Sequence, residues 1–88
     1  YVIFRTSQFK RDVKKAQKKH KDINYLRTVT SKLVQGIALP AKHNDHQLKG
    51  VLKGCRECHI ESDWLLIYRV QGDELHLIRT GSHSDLFR

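Results

Sequence analysis

The stretch from Val51 to Thr80, VLKGCRECHI-ESD-WLLIYRV-QGD-ELHLIRT, decides the fold. It holds three apolar-rich runs of strand length, Val51 to Ile60, Trp64 to Val70 and Glu74 to Thr80. They are separated by the turn-like clusters Glu61-Ser62-Asp63 and Gln71-Gly72-Asp73. Runs of this length joined by such short polar clusters read as a three-stranded antiparallel meander. The segment Trp64-Leu65-Leu66-Ile67-Tyr68 is apolar on both faces, as a central strand is when helices cover one side and something else covers the other.

The residues before the meander read as helical. Tyr1 to Arg5 is aromatic and β-branched and predicts a short strand, after which Thr6 or Ser7 can cap a helix. Over about 13 residues, Phe9, Val13, Ala16 and His20 recur near the helical period with lysines on the other side. Asp22 caps a second helix in which Ile23, Leu26, Val29 and Leu33 share a face, and Gly36 ends it. Leu39 to Gly50 has little periodicity and reads as a loop, and Ser82 to Arg88 as a short tail of about one helical turn. The order β-α-α-β-β-β predicts an α+β layer domain, an antiparallel sheet packed on a helix hairpin, with residues 1–88 forming one domain.

The 88 residues carry 17 Lys+Arg and 9 Asp+Glu, a formal charge of +8. A chain of this size holds one thin core and no deep cofactor cavity, so its chemistry must sit near the surface. Residues 10–21 (KRDVKKAQKKHK) contain seven Lys/Arg and one Asp, or +6 of the +8. Such a stripe attracts phosphate backbones and acidic proteins through a field that does not read sequence, and a solvated helix face is the plainer account of it. No apolar run reaches the roughly 18 residues a bilayer span requires, and no secretory segment is legible, so neither membrane nor export is expected. Two cysteines do not make a disulfide framework; a reducing cytoplasm is the expected setting.

Cys55-Arg-Glu-Cys58-His59 matches the haem-attachment pattern, but there is no Met for the usual second axial ligand and the setting is strand-like. His43, His46, Cys55 and Cys58 form two ligand pairs that could hold zinc. Residues three apart in a strand, however, point to opposite faces, and two reduced thiols, one partly packed, are the simpler reading. A third constellation is not local: the meander gathers His46, His59, Asp63, Arg79 and His83. Cleavage of RNA needs a base for the 2′-OH, an acid for the leaving 5′-oxygen and a cation for the phosphorane, which imidazoles, a carboxylate and a guanidinium supply. Trp64 and Phe87 could stack nucleobases, although a Trp heading a strand is more often core.

At these residues the chain resembles the RelE-type mRNA interferase toxins of bacterial type II toxin-antitoxin modules, and specifically their YafQ branch. The likeness runs through Asp45-His46-x-Leu48-x-Gly50, Gly54-x-Arg56-Glu57-x-His59-Ile60-x-x-Asp63-Trp64-x-Leu66-Ile67-Tyr68 and Leu77-Ile78-Arg79-Thr80-Gly81-Ser82-His83-Ser84-Asp85-Leu86-Phe87. The resemblance implies a microbial RNase fold that enters the ribosomal A site and cuts mRNA there by 2′-OH attack, leaving a cyclic phosphate and a 5′-hydroxyl without metal or other cofactor. It implies His83 and Asp63 as the foremost catalytic residues, His46 and His59 as further acid, base or phosphate-contact groups, and Arg79 as phosphorane stabiliser. Phe87 and Trp64 would hold the mRNA, and the basic helix, with Lys14, Lys15, Lys18 and Lys19, would meet ribosomal RNA. Which imidazole is acid and which is base stays open. Cys55, Cys58, His20, His43 and His76 have no role in the pattern, and the three histidines are expected at the surface. The implied partners are the ribosome, mRNA and a more acidic, DinJ-like antitoxin of the ribbon-helix-helix type, with operator DNA reached only through the antitoxin complex. A ParE-like toxin acting on gyrase is the alternative on the same fold, and a small zinc-binding nucleic-acid module the alternative outside it.

Overall fold

The computed structural model describes residues 1–87. The chain runs β1 (Val2–Arg5), α1 (Ser7–Lys18), α2 (Ile23–Val34), β2 (His46–Gln47), β3 (Arg56–Glu61), β4 (Trp64–Gln71), β5 (Glu74–Gly81) and α3 (His83–Phe87). The five strands make one sheet in the order β1-β5-β4-β3-β2, antiparallel except for β1 beside β5. The expected α+β class, the meander and the helix hairpin are all present, and β4 is the central strand.

Local chemistry accounts for the helix ends. Thr6 caps α1 by accepting from the Phe9 N–H at 2.9 Å and donates its hydroxyl to the Ile78 carbonyl at 2.7 Å, so one side chain starts the helix and ties it to β5. Asp22 accepts from the Asn24 N–H at 2.9 Å, and Gly36, at φ 71°, supplies the left-handed residue beyond α2. The helices put Phe9, Ala16, Leu26, Val29 and Leu33 against Cys58, Ile60, Trp64, Leu66, Tyr68, Leu75 and Leu77. Because strand side chains alternate, Glu57, His59, Leu65 and Ile67 belong to the other face.

Three expectations are corrected. α1 ends at Lys18, and His20, exposed at φ 63°, falls off the apolar stripe; the buried position there is Asp12. The first run of the meander is a strand only from Arg56, because Gly50 (φ 70°) and Gly54 (φ 93°) turn the chain sharply and leave Val51 fully exposed. The loop from Leu39 to Gly50 contains the short edge strand β2, paired with β3 through His46 opposite Glu57 and Gln47 opposite Arg56.

Candidate active site

Strand register turns distant residues into neighbours. His46 on β2 lies opposite Glu57 on β3, Glu57 opposite Ile67 on β4, and Ile67 opposite Arg79 on β5; directly opposed residues share a face. The next row on that face is His59, Leu65 and Gly81. α3 starts two residues beyond β5, and its His83 ring stands 6.1 Å from the His59 ring, edge to face.

One half of the site is built on Glu57. His46 Nε2 and His59 Nε2 lie 3.8 and 3.7 Å from the same carboxylate oxygen, Oε1, of a side chain only 6% exposed. His46 Nδ1 is 2.7 Å from the Asn44 carbonyl, which can only accept, so Nδ1 carries the hydrogen and Nε2 of the neutral ring is the nitrogen that takes up a proton. Asp45 fixes the same loop by accepting from the Tyr68 hydroxyl at 2.7 and 2.8 Å and from Arg56 Nε at 3.0 Å. Burial, reinforced by Asp45, raises the Tyr68 pKa and keeps that hydroxyl a donor. His43, expected at the surface, is buried. The turn Ala41–His43 brings its Nδ1 to 2.6 Å from the His59 carbonyl, where it pins β3 at the catalytic candidate.

The other half is built on Asp63, whose Oδ1 accepts from the His83 backbone N–H at 3.1 Å and lies 3.3 Å from His83 Nδ1. These contacts, the backbone one first, hold the Asp63 carboxyl below its usual pKa. A proton on Nδ1 then faces Asp63, and Nε2 is the ring nitrogen outside that pair. Phe87, 45% exposed, sits one turn on with its ring 6.1 Å from that of His83. α3 is only five residues long and depends on reciprocal capping. Asp85 accepts from the Ser82 N–H and Ser82 from the Asp85 N–H, both at 3.1 Å. Lys15 on α1 donates to Asp85 at 3.0 Å, and this contact, ahead of the Ser82 ones, lowers the Asp85 pKa to about 2.

Arg79 is gripped by Asp12, with Nε at 3.1 Å from Oδ2 and Nη2 at 3.0 Å from Oδ1, while the Thr80 N–H adds a third bond at 3.2 Å. Burial works against the Asp12 charge, but the hydrogen bonds from Arg79, Gln8 and Thr80 outweigh it and hold its carboxyl below the usual range. The guanidinium side chain stays one-third exposed.

A family model described as the bacterial toxin of type II toxin-antitoxin system, YafQ, matches residues 1–88. The mRNA interferase toxin YafQ of Escherichia coli K12 is 45% identical over 83 residues, 93% of this chain and 90% of its own. The crystal structure of YafQ from E. coli BL21(DE3) superposes with a TM-score of 0.94 at 42% identity, covering 98% of this chain and 97% of that one. YafQ in the E. coli DinJ-YafQ complex superposes with a TM-score of 0.92 at 44% identity over the same shares. The chain belongs to the YafQ family of bacterial toxins.

In this YafQ-family toxin the fold brings His46 and His59 together through Glu57, and His59, Asp63, His83 and Phe87 together around the start of α3. Arg79 stands three strands from His46 in the same cross-sheet row, with β3 and β4 between them. Trp64 is the exception: it is 1% exposed, turned with Leu66 and Tyr68 toward the helices, and presents no face on which a base could stack. Lys14, Lys15, Lys18 and Lys19 are all exposed, with Lys15 already paired to Asp85. A cleft of about 320 Å³ beside the Asp63–His83 pair is lined by Lys15, Lys19, Lys21, Gly81 and Ser82. Cys58 is fully buried in the core, Cys55 half-buried, and no group of three His, Cys, Asp or Glu side chains among the described residues is arranged to hold a metal. No helix among them is long and apolar enough to cross a membrane.

Sequence reasoning missed Glu57, Asp12, Asp45 and His43. Two of these left a signal: Glu57 precedes His59 by two and shares its face, and Asp12 sits three residues after Phe9 in the apolar stripe of α1.

Proposed function

We propose that this toxin is an mRNA interferase that cuts translated mRNA in the ribosomal A site. The observation that carries the reading is the pair of facing imidazole–carboxylate units, Glu57 with His46 and His59, and Asp63 with His83, with Arg79 in the same cross-sheet row as Glu57. His46 or His59 takes the 2′-OH proton at Nε2, and the 2′-oxygen attacks phosphorus. His83 donates its Nε2 proton to the 5′-oxygen as the P–O5′ bond breaks, giving a 2′,3′-cyclic phosphate and a 5′-hydroxyl. Arg79 stabilises the phosphorane, Phe87 stacks on a base, and the lysines of α1 contact ribosomal RNA backbone. Several imidazoles in one site titrate as a set, so base duty is shared between His46 and His59.

The curated name of the E. coli relative, an mRNA interferase, and its solved complex with DinJ support this reading. By the same likeness the partner is a ribbon-helix-helix antitoxin, more acidic than this +8 chain, through which alone operator DNA is reached. Translating ribosomes place the activity in the cytoplasm. Mapping mRNA 5′ ends after induction tests the reading: cuts are expected at one position of translated codons. Uncut mRNA with DNA damage would point instead to gyrase. His83→Ala is expected to fold and to lose growth arrest; a folded, fully toxic His83→Ala protein would sink the assignment.

A further inference from the structure

We propose that Lys15 and Asp85 are positioning residues: their ion pair braces α3 against α1 and so sets where His83 and Phe87 stand. The inference rests on the catalytic reading of His83, and neither residue is asked to touch substrate at the reacting atoms. α3 has five residues, none of them buried. A helix that short does not persist unaided, and with no buried side chain to anchor it, polar contacts must do most of the seating. Beyond the Ser82–Asp85 cap, the side-chain hydrogen bonds that tie α3 to the body among the described residues come from two residues: Asp63 at His83, its first position, and Lys15 at Asp85, its third. Asp63 alone would leave the helix free to pivot about its start, and Lys15 supplies the second point.

Both oxygens of Asp85 are engaged. Oδ1 accepts from Lys15 Nζ at 3.0 Å and Oδ2 from the Ser82 N–H at 3.1 Å, so the carboxylate that caps α3 is the one the lysine holds. Lys19 and Lys21 line the same cleft, yet among the described residues no Lys or Arg nitrogen other than that of Lys15 lies within 4 Å of Asp85. On α1, Asp12 and Lys15 are three residues apart and share a face; Asp12 holds Arg79 and Lys15 holds Asp85. One rigid helix thus sets the spacing between the guanidinium and the imidazole. A pair whose lysine is 56% exposed contributes at most modestly to stability, so a loss of rate in folded protein reads its placement role. Lys14, Lys18 and Lys19 have no carboxylate within 4 Å among the described residues and stay available to RNA backbone, whereas Lys15 is turned inward to α3.

Lys15→Met keeps the aliphatic stem and removes the cation; Asp85→Asn keeps an oxygen for the Ser82 cap and removes the anion. In single-turnover cleavage of a defined mRNA on programmed ribosomes at saturating toxin, each should lower the rate by about tenfold, the scale of a small displacement of a catalytic group. The double variant should lose no more than either single one, as residues acting through one contact do. In ¹⁵N imidazole spectra of the free toxin, both variants should move the His83 Nδ1 resonance, which reports its seat on Asp63, and leave those of His46. A Lys15→Met protein that loses ribosome affinity but keeps its saturated rate would show an RNA contact alone and overturn the proposal. Losses that multiply in the double variant, or an unmoved His83 signal, would overturn it too. If Asp85→Asn fails to fold, Lys15→Met, at an exposed helix position, decides through the same rate and spectrum. A folded, fully active His83→Ala protein would defeat the catalytic reading itself; an inactive one beside wild-type rates for Lys15→Met and Asp85→Asn would defeat only the brace.

Discussion

Asp12 on α1 holds Arg79 on β5 with both carboxylate oxygens, across 67 residues of sequence. The pair does two jobs at once. It joins the basic helix to the strand that leads into α3, and it orients the guanidinium proposed to meet the phosphorane, fixing Nε and one terminal nitrogen while the side chain remains one-third exposed. A buried acid in an otherwise apolar helix stripe is explained by this duty and not by packing.

Asp12→Asn should therefore cost both stability and activity. Removing the charge while leaving an amide against Arg79 and the Thr80 N–H should destabilise by about 1.5–3 kcal/mol, the range for hydrogen bonds to charged groups. Urea unfolding measures the first effect. The mRNA cleavage rate, falling at least tenfold in protein that is still folded, measures the second.

Acid should unfold the protein in a definite window. Asp12, Asp63 and Asp85 all have folded-state pKa values below their ordinary ones, Asp85 at about 2. Groups depressed on folding contribute stability that is fully present above the unfolded pKa of about 4 and is lost as pH falls through the folded values. Stability should be flat with respect to these carboxylates above about pH 5 and decline from about pH 4 toward pH 2. Thermal unfolding across that range checks it, and Asp85→Asn should flatten part of the decline.

Gly81→Ala tests how tightly α3 is seated. A Cβ at residue 81 would stand 3.0 Å from Asp85 Cβ and 3.1 Å from Asp85 Oδ2, inside contact distance of atoms that form the α3 cap. The helix start, and His83 with it, must shift, at about 1–3 kcal/mol for overpacking. Thermal unfolding should show the loss, and cleavage should fall by more than the stability change explains.

The thiols should differ in reactivity. Burial pushes the Cys58 thiol up to about 12, so it carries almost no thiolate at neutral pH, and its side chain is fully buried. Iodoacetamide on the native toxin, read by mass spectrometry, should label half-buried Cys55 alone, with Cys58 modified only in denaturant.

Much of the fold was legible because its signals are local. The two-faced apolar run at Trp64–Tyr68 identified the central strand, Asp22 and Gly36 marked the ends of α2, and the short polar clusters at 61–63 and 71–73 marked the turns. β2 was not legible, since two residues make no period and its existence rests on pairing with β3. Trp64 shows the same limit in reverse. Its place at the head of a strand among functional residues allowed it to be exposed or buried, and the helices packed on that face decided for burial.

The amino-acid sequence by itself determined the class of fold, the basic helix and the set of titrating side chains, because patterning, caps and residue chemistry act over a few residues. The tertiary structure alone decided which of those side chains meet: that His46 and His59 address one oxygen of Glu57, that His83 is seated on Asp63, and that Arg79 is held by Asp12. The physical reason is register. Cross-strand pairing, the packing of α1 on β5 and the docking of α3 bring residues up to 72 positions apart into contact, and no local pattern encodes that alignment.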